Sequence, residues 1–215
     1  MGDRFYLTVR RLAKPFAYRC LGRQNVRDGG PAIYAANHLG PVGPIQAVLS
    51  LPVRLHPWIL SETIDPRRSG QRIYNDLVRP VWRLNGPLGL GVAALLARPA
   101  VSFLNGLDCV AVDRDQGLYM TTFRRSLALL SEGRNLLIFP EDARSPLDPG
   151  TGLHSFLCGF LLLCALHEQL SGHPLPVYPV AVSSKRRTVS IGVPLFLEAR
   201  GRRRDDIART CTALQ

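Results

Sequence analysis

Apolar residues recur along the chain with two alternating rhythms. Phe5, Val9, Leu12 and Phe16 follow one another at intervals of four, three and four, which places them on one face of a helix. Arg4, Arg10, Arg11, Lys14 and Arg19 are spread around the rest. The pattern predicts an amphipathic helix over residues 1–23, with Pro15 as a kink or an end. Residues 24–31 read as a turn. Short apolar runs at 32–37, 53–60, 109–112, 136–139, 176–182 and 188–193 read as strands. Helical spacing or longer apolar runs at 45–51, 88–96, 118–131, 156–170 and 203–214 read as helices, with Gly133 stopping the third. Ile73, Leu77, Val81 and Leu84 suggest another helix, disturbed by Pro80. The stretch 62–106 gives the weakest signal, and 140–153 reads as a loop rich in Pro and Gly. Strands alternating with helices predict an α/β class: a single domain with a mixed, mainly parallel sheet flanked by helices, preceded by the N-terminal amphipathic helix.

Composition narrows this picture. The 215 residues are 46% apolar and 20% charged, which fits a globular chain and excludes a disordered or collagen-like one. No run of about 18 apolar residues occurs, so no standard membrane-spanning helix is expected. The longest apolar-plus-Gly run, 156–166, suits a buried helix, and the N-terminus lacks the pattern of a secretory signal. Charge changes more. There are 27 basic side chains against 16 acidic ones, a net +11, and only Lys14 and Lys185 are lysine. Such an excess implies an anionic partner: a membrane surface, a phosphorylated substrate or nucleic acid. Dispersed arginines, few aromatics and no recognised motif argue against nucleic acid. The five cysteines form no C-x-x-C pair and read as reduced, buried thiols; no Cys or His spacing suggests a metal site.

Two polar breaks directly follow apolar strands. One is Asn37-His38 and the other is Pro140-Glu141-Asp142-Ala143-Arg144-Ser145. Ligands of open α/β sheets gather at the carboxyl ends of strands, so both breaks are candidates to face one crevice. A histidine there can serve as a general base near neutral pH. Arg144 can grip a phosphate through its fork of donors, and Arg114, just after the strand ending at Val112, is a second such candidate. The structural alternatives are an ion pair of Arg114 with Asp113 or Asp115, and Glu141 capping its own turn. His154 and His167 read as the surface of the 156–170 helix, His56 and His173 carry no assigned role, and Trp58 and Trp82 read as core or interface residues.

Taken together, four blocks resemble the glycerolipid acyltransferase family, whose best-known members are the lysophosphatidic acid acyltransferases. They are Asn37-His38 with its Gly/Pro loop, Val112-Asp113-Arg114, Phe139-Pro140-Glu141-Asp142-Ala143-Arg144-Ser145, and Val177-Tyr178-Pro179-Val180-Ala181-Val182. Phe156-Leu157-Cys158-Gly159 is similar to the F-K-x-G stretch of that family. The likeness spans residues 30–195, and the F-P-E-x-x-R-S block is its most specific part. It implies an acyltransferase-like domain over 24–215, an acyl thioester donor (acyl-CoA or acyl-carrier protein), a lysophospholipid-like acceptor, and no cofactor or metal. It implies that His38 deprotonates the acceptor hydroxyl, which attacks the thioester without a covalent acyl-enzyme. It further implies that Arg114, Glu141 and Arg144, with Ser145 of the same block, hold the acceptor's glycerol phosphate. Pro179 would lie on a segment lining the substrate site.

The chain departs from the family pattern in ways that bear on activity. Gly43 stands where the family has the aspartate of N-H-x-x-x-x-D, Asp142 stands for glycine, and Ala143 stands for threonine. Loss of the carboxylate that orients a catalytic histidine costs on the order of 10⁴ in rate. Asp142 either replaces that carboxylate or is a solvated loop residue beside a slow or inactive site. The N-terminal helix and the basic residues lead us to expect a peripheral or monotopic protein on an anionic membrane surface, at its cytoplasmic face. The alternative function is a catalytically impaired, lipid-binding relative.

Overall fold

The computed structural model describes residues 2–27, 29–112, 120–197 and 203–214, and of residues 2, 3, 203 and 204 the backbone alone. Among the described residues the strands are β1 (Arg19–Leu21), β2 (Ile33–Ala36), β3 (Leu55–Leu60), β4 (Val110–Val112), β5 (Asn135–Ile138), β6 (Val177–Ser183) and β7 (Thr188–Ile191). The helices are α1 (Gly2–Ala13), α2 (Val42–Ser50), α3 (Ser61–Ile64), α4 (Ser69–Ile73), α5 (Gly86–Gly106), α6 (Met120–Ser131), α7 (Leu162–Ser171) and α8 (Arg203–Leu214). The chain divides into two compact units, Met1–Pro15 with His56–Thr122, and Phe16–Leu55 with Phe123–Gln215. The class is the predicted one: α/β, with mostly parallel, mixed strand pairing flanked by helices.

In the larger unit the strands lie in the order β1-β7-β6-β2-β5. β2 pairs in parallel with both β5 (Tyr34 opposite Leu137) and β6 (Ala35 opposite Pro179), β1 pairs in parallel with β7, and β6 with β7 is antiparallel. A central parallel strand is covered on both faces, so it reads as an unbroken apolar run rather than an alternating one. Ile33, Tyr34, Ala35 and Ala36 are all buried, against Leu136, Leu137 and Ile138 of β5 and Val177, Tyr178 and Val180 of β6. Each large side chain buried there contributes about 1.5–3 kcal/mol. The Tyr34 and Tyr178 rings stack at 5.0 Å, and burial together with Tyr178 drives the Tyr34 hydroxyl well above its usual titration range. Pro179 brings no N–H to its interior strand. Its carbonyl accepts the N–H of Gly192 at 2.8 Å, and a Cβ at Gly192 would stand 2.7 Å from Pro179 Cγ. Only glycine lets β7 leave the sheet that close to the proline ring.

The smaller unit holds β3 paired in parallel with β4 (Trp58 opposite Val110), together with α1, α3, α4 and α5. Along the chain, three expectations are revised. The N-terminal helix stops at Ala13, Pro15 lies in a 3-10 turn over Lys14–Phe16, and residues 19–21 form β1 instead of a last helical turn. Proline lacks the N–H and has the fixed φ that end the helix there, and the sheet edge then supplies partners for the next residues. The anchoring residue of α1 is Tyr6, 2% exposed, which the periodicity passed over. Of the predicted face, Phe5 meets Phe103 edge-on at 6.0 Å, while Phe5, Leu12 and Phe16 are all exposed. α5 runs for 21 residues through Pro99, not for the nine of 88–96, and an 18-residue window in it reaches a mean hydropathy of 1.6. By length and composition it can therefore cross a membrane. Gly, Pro, Ser and Arg interrupt it, so it holds no long uninterrupted apolar run despite its overall hydropathy.

The cysteines are the third revision. Cys158 and Cys211 form a disulfide, with 53 residues of separation and Cα atoms 5.8 Å apart. Cys109 and Cys164 are free thiols, each pushed up to about 12 chiefly by burial, and Cys20 is free and half-buried. Nothing in local sequence pairs Cys158 with Cys211; the packing of α8 does.

Candidate functional site

The loops that follow β2 and β5 meet because those strands are parallel neighbours, and their carboxyl ends therefore face the same way. β6, on the other side of β2, completes the rim. The first loop is fixed by Asn37. Its side-chain oxygen accepts the N–H of Val182 at 2.7 Å, and its amide nitrogen donates to the Val182 carbonyl at 3.1 Å. This pair imitates one more rung between β2 and β6, so the chain after β2 cannot drift. His38 comes next, exposed, with its ring edge-on to Phe139 at 5.3 Å. The turn of α2 that follows carries Gly43, buried, with its N–H on the Leu39 carbonyl at 3.2 Å. A Cβ at position 43 would lie 3.1 Å from the Asn37 carbonyl.

The second loop is a narrow hairpin. Bridges between Glu141 and Phe156 and between Leu147 and His154 hold its two arms together. Glu141 Oε1 accepts the backbone N–H of His38 at 2.5 Å, and Oε2 accepts the backbone N–H of His154 at 3.2 Å. The carboxylate thus ties the loop after β2 to both arms of the hairpin. Asp142 begins a tight turn: its Oδ1 accepts from both the backbone N–H and the Nε of Arg144 at 3.1 Å each. Arg144 is 82% exposed, so its guanidinium is presented at the surface while one edge is held by Asp142. Ser145 donates its hydroxyl to the Asp142 carbonyl at 2.9 Å and accepts the N–H of Ser155 at 2.8 Å, which locks the turn against the opposite arm.

Of the residues singled out in the sequence, the structure therefore brings together His38, Glu141, Asp142, Arg144 and Ser145. Pro179 lies beside Ala35 in the sheet below them. Arg114, with Asp113 and Asp115, lies outside the described residues. Two other histidines stand differently from their sequence reading. His167 is buried on α7, with Nδ1 near the His173 carbonyl. His154 belongs to the hairpin: the Ser145 carbonyl accepts from its Nδ1 at 2.6 Å, which places the ring proton on that nitrogen. The only sequence signal for His154 was its position opposite the Glu141 block across a Gly/Pro-rich loop.

Next to these loops lies a cavity of about 520 Å³, bordered by Asn37, Phe156, Pro179, Ile191, Gly192 and Leu214 among others. Its wall is mainly apolar, and Asn37 stands at it one residue before His38. Among the described residues no cluster of His, Cys, Asp and Glu could hold a metal ion.

No protein-family model matches the chain, and no curated protein does. In its fold the chain is similar, with a TM-score of 0.52 and 16% identity over 100% of its own length and 82% of the other's, to the crystal structure of the 1-acyl-sn-glycerophosphate (LPA) acyltransferase PlsC from Thermotoga maritima.

Proposed function

We propose that the protein is a membrane-surface acyltransferase that moves a fatty acyl group from an acyl thioester, acyl-CoA or acyl-carrier protein, to the hydroxyl of a lysophospholipid- or glycerol-phosphate-like acceptor. The observation that carries this reading is the meeting of His38 and the Glu141–Ser145 turn at the carboxyl ends of β2 and β5. The fold likeness to an acyltransferase supports it.

The chemistry follows from the groups present. The imidazole of His38 takes the proton of the acceptor hydroxyl as its oxygen attacks the thioester carbonyl carbon. The tetrahedral intermediate collapses with cleavage of the C–S bond, and the departing thiolate recovers the proton from the imidazolium. Arg144, steadied by Asp142, binds the acceptor phosphate, and Arg114 is the second phosphate ligand in this reading. Asp142 is the carboxylate that orients the His38 imidazole in place of the aspartate missing at Gly43. Glu141, Ser145 and Asn37 position these groups rather than react, and Pro179 borders the cavity that takes the apolar part of the substrate. No cofactor or metal enters the scheme. The +11 charge and the exposed apolar residues of α1 support a seat on an anionic bilayer, and the reading puts the protein at its cytoplasmic face.

Purified protein should release thiol from acyl-CoA or acyl-carrier protein in the presence of lysophosphatidate or glycerol 3-phosphate, with no transfer to amine acceptors. His38→Ala should abolish that release. Gly43 favours a second reading, a lipid-binding relative with impaired turnover. Tight binding of lysolipid with no thiol release from any acceptor would establish it and refute the first.

A further inference from the structure

The segment between Asp76 and Asp108 contains Arg79, Arg83 and Arg98 and not one acidic residue. It includes α5, whose two sides are unlike in what they touch. Gly89, Ala93, Ala97 and Val101, spaced four apart, form the buried side, packed on α4 and the π-helical turn at Tyr74–Val78. The opposite side carries Leu88 at 69% exposure and Leu95 at 78%, seven residues apart and hence on one line, with exposed Gly91, Pro99 and Ser102 around them. Just before the helix, Val81 and Trp82 are exposed between Arg79 and Arg83, Trp82 at 48%. Bulky side chains left this bare, in a stretch that carries cations and no acid between Asp76 and Asp108, are the composition of a surface that meets anionic lipid.

We infer that α5 and the turn before it are the main membrane seat of the protein, lying in the plane of an anionic bilayer with Trp82, Leu88 and Leu95 inserted. The inference deepens the membrane-surface reading above and does not depend on catalysis. Two facts favour a helix lying in the interface over one that crosses. The glycine–alanine side is occupied by α4 of the same unit, so lipid can reach one face alone. Arg98 is exposed two residues from the middle of the 21-residue helix, where a crossing would bury its charge in hydrocarbon. Lying flat, Leu88 and Leu95 point into the acyl chains while Arg98, on the flank, reaches the phosphates. α1 adds Leu7 and Leu12, both exposed, to the same unit's apolar surface.

The occupant is an anionic bilayer, and charge complementarity selects it. A second copy of this chain would bring the same three arginines to the contact.

The chain's two tryptophans, Trp58 and Trp82, make the test direct. In a Trp58→Phe protein, Trp82 emission should shift to the blue on vesicles of equal parts phosphatidylglycerol and phosphatidylcholine. Lipids brominated on the acyl chains should quench it. Leu88→Glu with Leu95→Glu should raise the lipid concentration for half-binding by about tenfold or more in the otherwise wild-type chain. Leu88→Ser with Leu95→Ser should do so less severely, and both should keep the wild-type far-UV circular dichroism. Acyl transfer to detergent-dispersed acceptor, if the wild type has it, should survive in both, so loss of seating and loss of chemistry are told apart. Unchanged Trp82 emission on vesicles that do sediment the protein would overturn the inference. So would wild-type binding by both double variants, or a lipid-free dimer that the same variants dissociate.

Discussion

Asn37 and His38 are sequence neighbours with opposite assignments. The first is tied to β6 by both ends of its amide, and the second is left exposed at the rim, held through its backbone by Glu141. The general base proposed here needs a fixed main chain and an accessible side chain, and this pair of residues divides the two needs. The proposed orienting role of Asp142 is testable at the same scale. Asp142→Asn keeps an oxygen for the Arg144 N–H and so preserves the turn, but removes the charge. It should lower turnover by on the order of 10⁴. Gly43→Asp in that background should restore part of the loss, since a Cβ there would lie 3.6 Å from the His38 main chain and needs the Asn37 carbonyl at 3.1 Å to yield by only a few tenths of an ångström. Wild-type rates in Asp142→Asn would reduce Asp142 to a turn former. Asp148, at the tip of the hairpin, offers a pH test. Its carboxylate accepts from Thr151 N–H, Gly150 N–H and the Thr151 hydroxyl, and these bonds hold it below its ordinary value of 3.8. A depressed carboxyl stabilises the fold above its unfolded value and loses that contribution as pH falls through the folded one. The hairpin tip should therefore stay ordered down to a pH below 3.8, and the carboxyl carbon of Asp148 should titrate with a midpoint under that figure. A midpoint at or above it would contradict the three bonds.

At the scale of elements, α8 is the piece whose attachment is conditional. It contributes Leu214 to the cavity wall and is tied through Cys211 to Cys158, two residues past Phe156 of the same wall. A cross-link closing 53 residues is worth about 4 kcal/mol by loop-closure entropy. Denaturation midpoints should fall when the protein is reduced, and Cys158→Ser should reproduce the fall without reductant. Thiol titration of the unfolded, unreduced chain should find the three free cysteines Cys20, Cys109 and Cys164, and five after reduction. Five from the start would mean that α8 is held by packing alone. On the proposed cytoplasmic face the bond would be exposed to a reducing pool, which makes the attachment of α8 responsive to redox conditions.

For the whole molecule the governing quantity is the net charge of +11. Surface charge acts over a Debye length of about 10 Å at 0.1 M salt. Sedimentation with phosphatidylglycerol-containing vesicles should weaken as salt rises and level off at a residue of apolar binding, while binding to neutral vesicles should be weaker and nearly indifferent to salt. Equal, salt-independent binding to both would show that the arginines are solvated without a partner. The fold likeness belongs to this scale too: it runs the full length of the chain at 16% identity, so the arrangement of strands and helices persists where most side chains differ.

Local chemistry alone settled a large part of this protein. The apolar run at 32–37 is a strand because a doubly covered parallel strand admits no polar alternation, and it appears as β2. The helix at 203–214 and the stop at Gly133, whose φ is 74°, follow from spacing and from a left-handed turn that glycine adopts freely. The polar breaks at His38 and Glu141 were visible because strands end where polarity begins. What sequence could not contain was pairing at a distance. The Glu141 carboxylate finds the His38 N–H from 103 residues away, and the sulfurs of Cys158 and Cys211 meet across 53. Tyr6, and not the periodic face beside it, anchors α1 because the packing partner chose the residue. α5 is apolar on both sides, and only its seat on α4 decides which side is left over for something else. Periodicity reports what a segment prefers by itself; burial and hydrogen-bond partners between segments belong to the folded chain, where free energy depends on neighbours that the linear order does not name.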